Sequence, residues 1–289
     1  MRYRVAILLL CLFAFIDCFG QNKYALVIGI GNYPESTGWN KIHGNNDIPI
    51  ITSWLNLNGF APEHIISLID EEATFAGILQ GFENLTRLVS SNDIVYIHFS
   101  GHGQQITDID GDEDDSFDES WIPYDAQKTY VAGQYEGERH ITDDTLNELL
   151  SEIREKIGAK GKLTIVSDAC HSGGGSRSED ENDDDVCVRG TSDKFIIPTT
   201  STNKTRHSRS VDWLFIGACK SYQTNFEYKY DGVFYGSLTY IITHNELDVT
   251  SDDYAKIIVK WQQTLSAIST YPQSIDSEGL PNKKSKTLF

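Results

Sequence analysis

Short, largely apolar runs that alternate with amphipathic segments constrain the fold of this chain more than any other feature. Residues 24–30 (YALVIGI), 93–99 (DIVYIHF) and 162–166 (KLTIV) have the length and composition of buried parallel strands. Further strands are predicted at residues 65–69 and 212–217. Helical periodicity is found at residues 46–57, 74–89, 143–157, 234–243 and 252–268. The alternation predicts an α/β fold in which helices flank a mostly parallel central sheet, forming an α/β/α sandwich.

The composition excludes two broad classes of protein. Of the 289 residues, 39% are hydrophobic and 11% are aromatic, which is enough for a sizeable core and argues against intrinsic disorder. The 42 acidic residues outnumber the 24 basic residues and give a net charge of −18, so the chain lacks the basic surface that nucleic-acid binding requires. No internal repeat or linker is present, and we therefore expect one domain, a monomer and no nucleic-acid partner.

The first twenty residues have the features of an export signal. Two arginines precede an uninterrupted apolar run at residues 6–16, which is too short to span a bilayer. The small residues Cys18 and Gly20 lie three and one positions before a cut preceding Gln21. We expect this signal peptide to be removed, the mature chain 21–289 to be periplasmic or secreted, and no stable membrane insertion afterwards. A short anchor that is never removed is the alternative.

Export makes the cysteine count informative. Removal of the signal peptide leaves Cys170, Cys187 and Cys219. Three is an odd number, and no CxxC spacing indicates a zinc site or a redox pair. The chain is therefore not expected to depend on a disulfide framework, and at least one thiol is expected to be free.

Two glycine-bearing motifs follow two of the predicted strands. Residues 100–103 (SGHG) come after the third strand, and residues 168–173 (DACHSG) come after the fourth. Functional groups in open α/β sheets gather beyond the carboxyl ends of the strands. If these two strands are parallel neighbours, His102 and Cys170 therefore face each other across one edge of the sheet.

The two side chains have complementary chemistry. A histidine or a cysteine that occurs alone after a strand is most simply an ordinary buried residue. An imidazole beside a thiol, however, supplies the thiolate character that a nucleophile needs, so His102 and Cys170 together predict a catalytic dyad. The glycines around His102 leave room for a substrate chain and let backbone N–H groups, that of Gly103 among them, turn toward an oxyanion.

The two motifs resemble the catalytic blocks of the metacaspases, the caspase-like cysteine peptidases of plants, fungi, protists and bacteria. The similarity continues at residues 24–31, 121–125 (WIPYD), 141–144 (ITDD) and 215–224 (FIGACKSYQT). The resemblance implies a caspase-like fold. It also implies a peptide-bond hydrolase in which His102 is the general base and Cys170 is the nucleophile.

An acidic pocket is predicted beside the dyad. Asp168 lies two residues before Cys170 on the same strand, so both side chains point to the same face. A buried carboxylate needs a cation, and a substrate arginine or lysine would supply it. The resemblance implies that Asp47 lines the same pocket and that Ser100 lies at its rim; the alternative for Asp47 is a cap of the following helix. Neither motif has an arginine nearby to bind an acidic substrate residue, so we expect cleavage after Arg or Lys.

The acidic segment at residues 108–119 is a candidate calcium site. Its carboxylates imitate the spacing of an EF-hand loop, but its sixth position lacks the required glycine and no helix leads into it, which excludes an EF-hand. The resemblance implies calcium as an activator, bound by Asp118, Asp143 and Asp144. Helix capping and compensation of the helix dipole are the alternative for the last two. A fourth family ligand follows the catalytic cysteine, where this chain has Arg177, so that ligand lacks a counterpart here.

Residues 174–210 form a long segment of small and charged residues with little periodicity. An acidic run at residues 179–185 precedes a basic part. The basic residues are Arg189, Lys194, Lys204, Arg206 and Arg209. Related peptidases often cut themselves near this region, and a basic segment tethered beside an acidic pocket is a substrate at high local concentration. We therefore expect self-cleavage after one of these residues; a solvated loop is the alternative.

These features together predict an exported cysteine endopeptidase of metacaspase type. Its substrates are expected to be proteins or peptides with Arg or Lys before the cut, and calcium is its expected activator. One alternative is a caspase-fold peptidase of other specificity. Another alternative is a non-catalytic, calcium-responsive binding protein on the same scaffold.

Overall fold

The computed structural model of the protein describes residues 21–113, 115–171, 187–198, 212–279 and 287–289. Its strands are β1 (Lys23–Gly29), β2 (Ile65–Ile69), β3 (Ile94–Ser100), β4 (Gly103–Thr107), β5 (Phe117–Trp121), β6 (Ile141–Thr142), β7 (Lys162–Asp168), β8 (Leu214–Gly217), β9 (Glu227–Tyr230), β10 (Val233–Gly236) and β11 (Asp276–Glu278). Its helices are α1 (Gly44–Leu57), α2 (Phe75–Leu88), α3 (Asp143–Ile157), α4 (Ser237–Thr243) and α5 (Tyr254–Ile268). Several predictions fall outside the described residues, namely those on residues 1–20, Arg177, residues 179–185, Lys204, Arg206 and Arg209.

Six strands form the central sheet in the order β11-β8-β7-β3-β1-β2. Strands β1, β2, β3, β7 and β8 are parallel, and β11 closes one edge in the antiparallel direction. The predicted strands at residues 24–30, 93–99 and 162–166 lie within two residues of β1, β3 and β7. The prediction of an α/β fold with a mostly parallel central sheet is therefore confirmed.

Alternation along the buried strands sends side chains into two separate cores. In β1, Leu26 and Ile28 pack in the core that α2 and α3 cover, whereas Ala25 and Val27 pack in the core that α1, α4 and α5 cover. The strands are apolar along their length because helices cover both faces of the sheet. The arrangement is an α/β/α sandwich, as the sequence predicts.

Polar side chains begin three of the helices. Thr74 accepts a hydrogen bond from the first turn of α2, Thr142 does so for α3, and Asp253 does so for α5. The capping role considered for Asp143 and Asp144 thus belongs to Thr142, and the two aspartates occupy the first turn of α3, where negative charge is favourable. No helix in the described ranges is both long and apolar enough to cross a lipid bilayer.

Two smaller antiparallel sheets accompany the central one. Strands β4, β5 and β6 form the first, and the hairpin of β9 and β10 forms the second. The predicted helix over residues 234–243 is wrong at its start, because β10 occupies its first residues and α4 begins at Ser237. The turn at Asp231 and Gly232 explains the difference: both residues have positive φ angles (48° and 79°), which suits a tight hairpin between aromatic strands.

Candidate active site

The pairing of β3 with β7 brings the two sequence motifs to one edge of the sheet. The strands are parallel neighbours, and Ser100 at the end of β3 is in register with Asp168 at the end of β7. His102 and Cys170 each lie two residues beyond these positions. The strand order that the predicted dyad requires is therefore present.

His102 is held in one orientation by its surroundings. Its ring stacks on Trp39 at a centroid distance of 4.7 Å and contacts Tyr33 at 4.9 Å. Its Nε2 lies 2.9 Å from the carbonyl oxygen of Asn40. Because a carbonyl oxygen only accepts, Nε2 carries the proton and Nδ1 keeps its lone pair.

The free nitrogen of His102 has the properties of a base. Nδ1 is buried and has no hydrogen-bond partner among the described residues. Burial lowers the pKa of His102 to about 4, against an opposing contribution from the hydrogen bond to Asn40. The imidazole is therefore neutral near pH 7 and able to accept a proton.

Cys170 is fully buried and closely surrounded. Its Sγ donates a hydrogen bond to the carbonyl oxygen of Gln223 at 2.7 Å. Cys219 hydrogen-bonds to the same thiol, and this bond together with burial raises the pKa of Cys219 well above its usual value. The backbone N–H of Cys170 donates a hydrogen bond to the carbonyl oxygen of Arg189 at 2.7 Å. The carbonyl group of Arg189 therefore lies directly beside Cys170.

Three carboxylates surround the guanidinium of Arg189. Its Nη1 lies 2.8 Å from Oδ2 of Asp47 and 3.8 Å from Oδ1 of Asp168, and its Nε lies 3.0 Å from Oε1 of Glu227. All four side chains are fully buried. The predicted acidic pocket is thus formed by three carboxylates, and an arginine of the same chain occupies it. This arginine is distant in sequence from either motif, which is why the motifs alone give no sign of it.

The pocket keeps an excess of negative charge with Arg189 in place. Burial raises the pKa of Asp47 to about 6, and Asp168 adds to the effect while Arg189 opposes it. Burial would also raise the pKa of Glu227, but Arg189 and His43 outweigh it and lower that pKa to about 2. Three carboxylates face the guanidinium of Arg189, and one of them, Glu227, is paired with His43 as well.

Neighbouring polar groups orient the two aspartates that the sequence predicts. Asp47 accepts hydrogen bonds from the Ser100 hydroxyl (2.7 Å) and the Gly236 N–H (3.0 Å), and it does not cap α1. Asp168 accepts from the Thr239 N–H (2.7 Å) and from Asn225 Nδ2 (2.8 Å). Ser100 is fully buried behind Asp47, so it supports the carboxylate instead of lying at the rim of the pocket.

The chain around Arg189 runs as an additional antiparallel strand. Residues 187–189 pair with residues 225–227. The contacts are the bridge between Val188 and Phe226 and the hydrogen bonds from Arg189 N to Asn225 O (3.0 Å) and from Glu227 N to Cys187 O (2.9 Å). Peptides commonly bind to other proteins by adding a strand in this way.

The peptide bond after Arg189 lies against Cys170. A Cβ atom added to Gly190 would be 2.2 Å from the Cys170 carbonyl oxygen, so only glycine fits there. Gly103 approaches equally closely, since a Cβ atom there would be 2.6 Å from the same oxygen. The hydrogen bond at the Arg189 carbonyl comes from Cys170 itself, and the part of Gly103 as a second oxyanion donor stays a prediction.

Two of the three predicted calcium ligands, Asp118 and Asp144, come together where β5, β6 and α3 meet, whereas Asp143 is not part of the close group. Pairing of β5 with β6 brings Asp118 beside the first turn of α3, which carries Asp143 and Asp144. One carboxylate oxygen each of Asp112, Asp118 and Asp144 lies within 4.8 Å of the others. Oδ1 of Asp118 and Oδ1 of Asp143 are buried, and neither has a hydrogen-bond partner in the part of the chain that the structure describes.

The acidic cluster has unusual protonation behaviour. Burial, followed by the charge of Asp143, raises the pKa of Asp118 to about 8. Burial and Glu119 raise the pKa of Asp143 to about 7. Buried carboxylate oxygens without partners fit a hard divalent cation such as Ca²⁺, which prefers oxygen ligands.

Several contributors were not predicted as parts of the site. Glu227 lies at the start of β9, outside every predicted strand and helix, and no motif marks it. Asn40 acts through its backbone carbonyl, for which no residue type is required. Asp112 belongs to the acidic segment at residues 108–119. Its position in the regular spacing of that segment was a signal that could have added it to the predicted calcium ligands.

The sandwich with a histidine and a cysteine at adjacent strand ends defines a cysteine-peptidase scaffold of caspase type. The chain matches the family model "Metacaspase, peptidase C14 domain" over residues 23–178, more than half of its length. The chain belongs to this metacaspase family of cysteine peptidases, which confirms the resemblance of the two motifs.

Individual relatives support the same conclusion. Metacaspase-1A of Aspergillus terreus is 36% identical over 169 residues, which cover 56% of this chain and 38% of that protein. Metacaspase-1 of Coccidioides immitis is 35% identical over 169 residues, which cover 56% and 33% respectively. The chain thus spans little more than a third of the curated relatives it matches. The crystal structure of protein GSU0716 from Geobacter sulfurreducens shares the fold, with a TM-score of 0.62, 20% identity and coverage of 92% of this chain and 97% of that one.

Proposed function

We propose that this chain is a cysteine endopeptidase that cleaves peptide bonds after arginine or lysine, with His102 and Cys170 as its catalytic dyad. The observation that carries the proposal is the position of Arg189. Its guanidinium lies among three buried carboxylates while its carbonyl oxygen accepts a hydrogen bond from the Cys170 N–H. A substrate residue before the scissile bond has to make both contacts at once.

Formation of the acyl-enzyme follows from the orientation of His102. Its Nδ1 takes the thiol proton of Cys170, and the sulfur turns from the Gln223 carbonyl to attack the substrate carbonyl carbon. The Cys170 N–H, with the Gly103 N–H as the proposed second donor, stabilises the negative oxygen. His102 then gives the proton to the leaving amine nitrogen, the C–N bond breaks, and a thioester remains on the sulfur.

Hydrolysis of the thioester uses the same groups. Nδ1 of His102 takes a proton from water, and the resulting hydroxide attacks the thioester carbonyl. The C–S bond breaks, the carboxylic acid product leaves, and Cys170 recovers its proton. The lowered pKa of His102, about 4, keeps the ring neutral and available for each step.

The alternatives that the sequence leaves open fit the site less well. A substrate aspartate would have to enter a pocket that already holds the carboxylates of Asp47, Asp168 and Glu227, and like charges at that distance repel. A binding protein without catalysis would have no use for a buried Nδ1 of His102 that lacks a hydrogen-bond partner among the described residues.

We also propose that the chain cleaves itself between Arg189 and Gly190. Arg189 is one of the five basic residues that the sequence suggests, and its guanidinium lies among the pocket carboxylates. Lys194, the other candidate in the described ranges, has its Nζ 3.5 Å from the ring centroid of Phe117 instead. Before cleavage, Arg189 would block the pocket against other substrates.

We propose calcium as the activator, held by the carboxylates of Asp118, Asp143 and Asp144 together with Asp112. Support comes from two buried carboxylate oxygens that have no hydrogen-bond partner within the described part of the chain, and from the raised pKa values of Asp118 and Asp143. When bound, calcium would supply the positive charge that these carboxylates lack.

Export remains a proposal that rests on the sequence of residues 1–20. The central sheet begins at Lys23, so removal of the signal peptide would leave β1 complete. We therefore propose that the mature chain starts at Gln21 and is periplasmic or secreted.

Matched fluorogenic peptides ending in Arg, Lys or Asp test the specificity. We expect hydrolysis of the Arg and Lys peptides alone, and no hydrolysis by Cys170→Ala. Asp47→Asn keeps the shape of the side chain but removes one pocket charge, so kcat/KM for Arg peptides should fall by at least ~30-fold. Glu83→Gln, on the exposed surface of α2, is the matched control and should have no effect. Preferred cleavage after Asp, or an unchanged Asp47→Asn enzyme, would contradict the pocket assignment.

Intact-mass spectrometry after incubation tests self-cleavage. We expect two fragments from the wild-type chain, one that ends at Arg189 and one that begins at Gly190. Cys170→Ala should give a single intact chain. Arg189→Lys should still be cut at this bond because it keeps the charge, whereas Arg189→Gln should not. A wild-type chain cut elsewhere while this bond stays intact would show that Arg189 is a structural residue.

The acidic cluster gives a pH-dependent prediction for calcium. The pKa values of Asp118 (about 8) and Asp143 (about 7) lie above that of an unfolded aspartate (3.8), so ionising them costs stability. This cost is absent near pH 4 and complete above about pH 8. In chelator, the unfolding temperature should therefore fall between pH 6 and pH 8.5, and calcium should restore it.

Differential scanning calorimetry of wild type and Asp118→Asn provides the measurement. The variant should lose less stability over the same pH range and should gain less from calcium. Because Cys187 and Glu227 raise the pKa of His43 to about 10, this residue contributes a similar slope in both proteins and cancels in the comparison. Equal pH slopes for the two proteins would disprove this role of Asp118.

Expression of the full chain in a bacterial host, followed by fractionation, tests export. N-terminal sequencing should find Gln21 as the first residue of a soluble periplasmic or secreted chain. A chain that begins at Gln21 without the signal should stay in the cytoplasm. Recovery of the uncut chain in the membrane fraction would favour the anchor instead.

A further inference from the structure

Three potential metal ligands meet beside the acidic pocket. His43 lies just before α1, Glu227 begins β9, and Cys187 belongs to the strand-like segment that carries Arg189. One ligand atom from each lies within 4.8 Å of the other two. Neither His43 nor Cys187 takes part in the dyad or in the calcium cluster described above.

The three side chains are already oriented toward one point. Nδ1 of His43 lies 2.6 Å from Oε2 of Glu227, and the His43 ring stacks on Phe234 at 4.9 Å. Oε1 of the same glutamate is engaged by Arg189 and by the His43 backbone N–H (2.8 Å). Glu227 therefore contacts Arg189 in the pocket through Oε1, while its Oε2 faces His43 in the cluster.

The cluster is accessible from solvent. His43 is partly exposed, as is Cys187, whereas the Glu227 side chain is buried. A cation from solvent can therefore reach the point between the three ligand atoms.

We propose that His43, Cys187 and Glu227 form a binding site for a thiophilic divalent cation, with Zn²⁺ as the best match. A nitrogen, a sulfur and an oxygen ligand are the donor types that zinc takes in proteins, and a water would complete four-fold coordination on the exposed side. Binding would release the proton shared by His43 and Glu227 and the thiol proton of Cys187 to solvent, with no change of oxidation state.

Such a cation would act on the pocket through the chain. Cys187 lies two residues before Arg189, and Glu227 contacts both Arg189 and His43. The metal would therefore fasten the segment that occupies the pocket to the body of the protein, before and after cleavage at Arg189. This consequence rests on the proposed function; the binding of the cation does not.

Cobalt absorption tests the site directly, because tetrahedral Co²⁺ bound to a thiolate has intense charge-transfer and visible bands. The full-length Cys170→Ala chain, which stays uncut and lacks the catalytic thiol, is titrated with Co²⁺ and then with Zn²⁺ as competitor. We expect one equivalent of cobalt-thiolate absorption that zinc removes. Adding Cys187→Ser should weaken binding by at least about 100-fold, whereas adding Cys219→Ser, the matched control, should leave the bands unchanged.

The spectra have outcomes that would overturn the site. Absent bands, bands that survive Cys187→Ser, or bands that vanish with Cys219→Ser would each do so. These results do not depend on peptidase activity, so they are separate from any failure of the proposed function.

Activity measurements test the consequence for the pocket. In buffered calcium, Zn²⁺ should reduce hydrolysis of Arg peptides by the self-cleaved enzyme at least about tenfold, a zinc-selective chelator should restore it, and Cys187→Ser should be far less sensitive. The cut at Arg189 should proceed with or without zinc, because the metal holds the segment in its cleavable position. Equal inhibition of Cys187→Ser, or loss of the cut, would mean that zinc acts on His102 and Cys170 instead. Failure to hydrolyse any Arg peptide without zinc would reject the proposed function and leave the cobalt result to stand alone.

Discussion

The buried guanidinium of Arg189 is the charge on which the acidic pocket depends. Three carboxylates at one point repel one another, and each would be costly to bury without a cation. Arg189 offsets this cost unevenly: the pKa of Glu227 falls to about 2, while burial and Asp168 still hold that of Asp47 near 6. This need for a cation is the reason why we propose that a substrate residue which replaces Arg189 carries its own positive charge.

A different constraint governs the proposed dyad of His102 and Cys170, where burial favours the neutral imidazole. His102 stacks on Trp39, and its Nε2 proton is committed to the Asn40 carbonyl. The lowered pKa keeps the ring neutral, so Nδ1 is a base that water does not compete for. The same burial makes a persistent thiolate–imidazolium pair expensive. The dyad is thus suited to transferring the proton of Cys170 when a carbonyl group is in place.

The fold and the meeting of the two motifs could be predicted from the sequence because both depend on local patterns. Parallel strands buried on both faces are apolar throughout, and their carboxyl ends share an edge, so the segments that carry His102 and Cys170 meet there. Glu227 could not be predicted, since it lies on the short hairpin strand β9, in a stretch where the sequence shows neither a predicted element nor a motif. The place of Arg189 depends on the chain returning across the end of β7, and no local pattern in the sequence records that return. Ser100 was placed at the rim because strand position alone does not reveal burial.

The two proposed metal sites differ in the kind of cation that their ligand atoms favour. The cluster around Asp118 offers only carboxylate oxygens, which favours a hard cation, whereas Cys187 and His43 add sulfur and nitrogen, which favour a soft one. Glu227 connects the second cluster to the pocket, because its two oxygens bind His43 and Arg189. A cation that replaces the proton on His43 would attract Glu227 and so weaken the interaction of Glu227 with Arg189. The same cation, bound to Cys187, would also fix the segment that carries Arg189. The bond to Cys187 therefore decides whether Arg189 stays in the pocket, since a cation bound to His43 and Glu227 alone would only weaken the contact of Arg189 with the pocket.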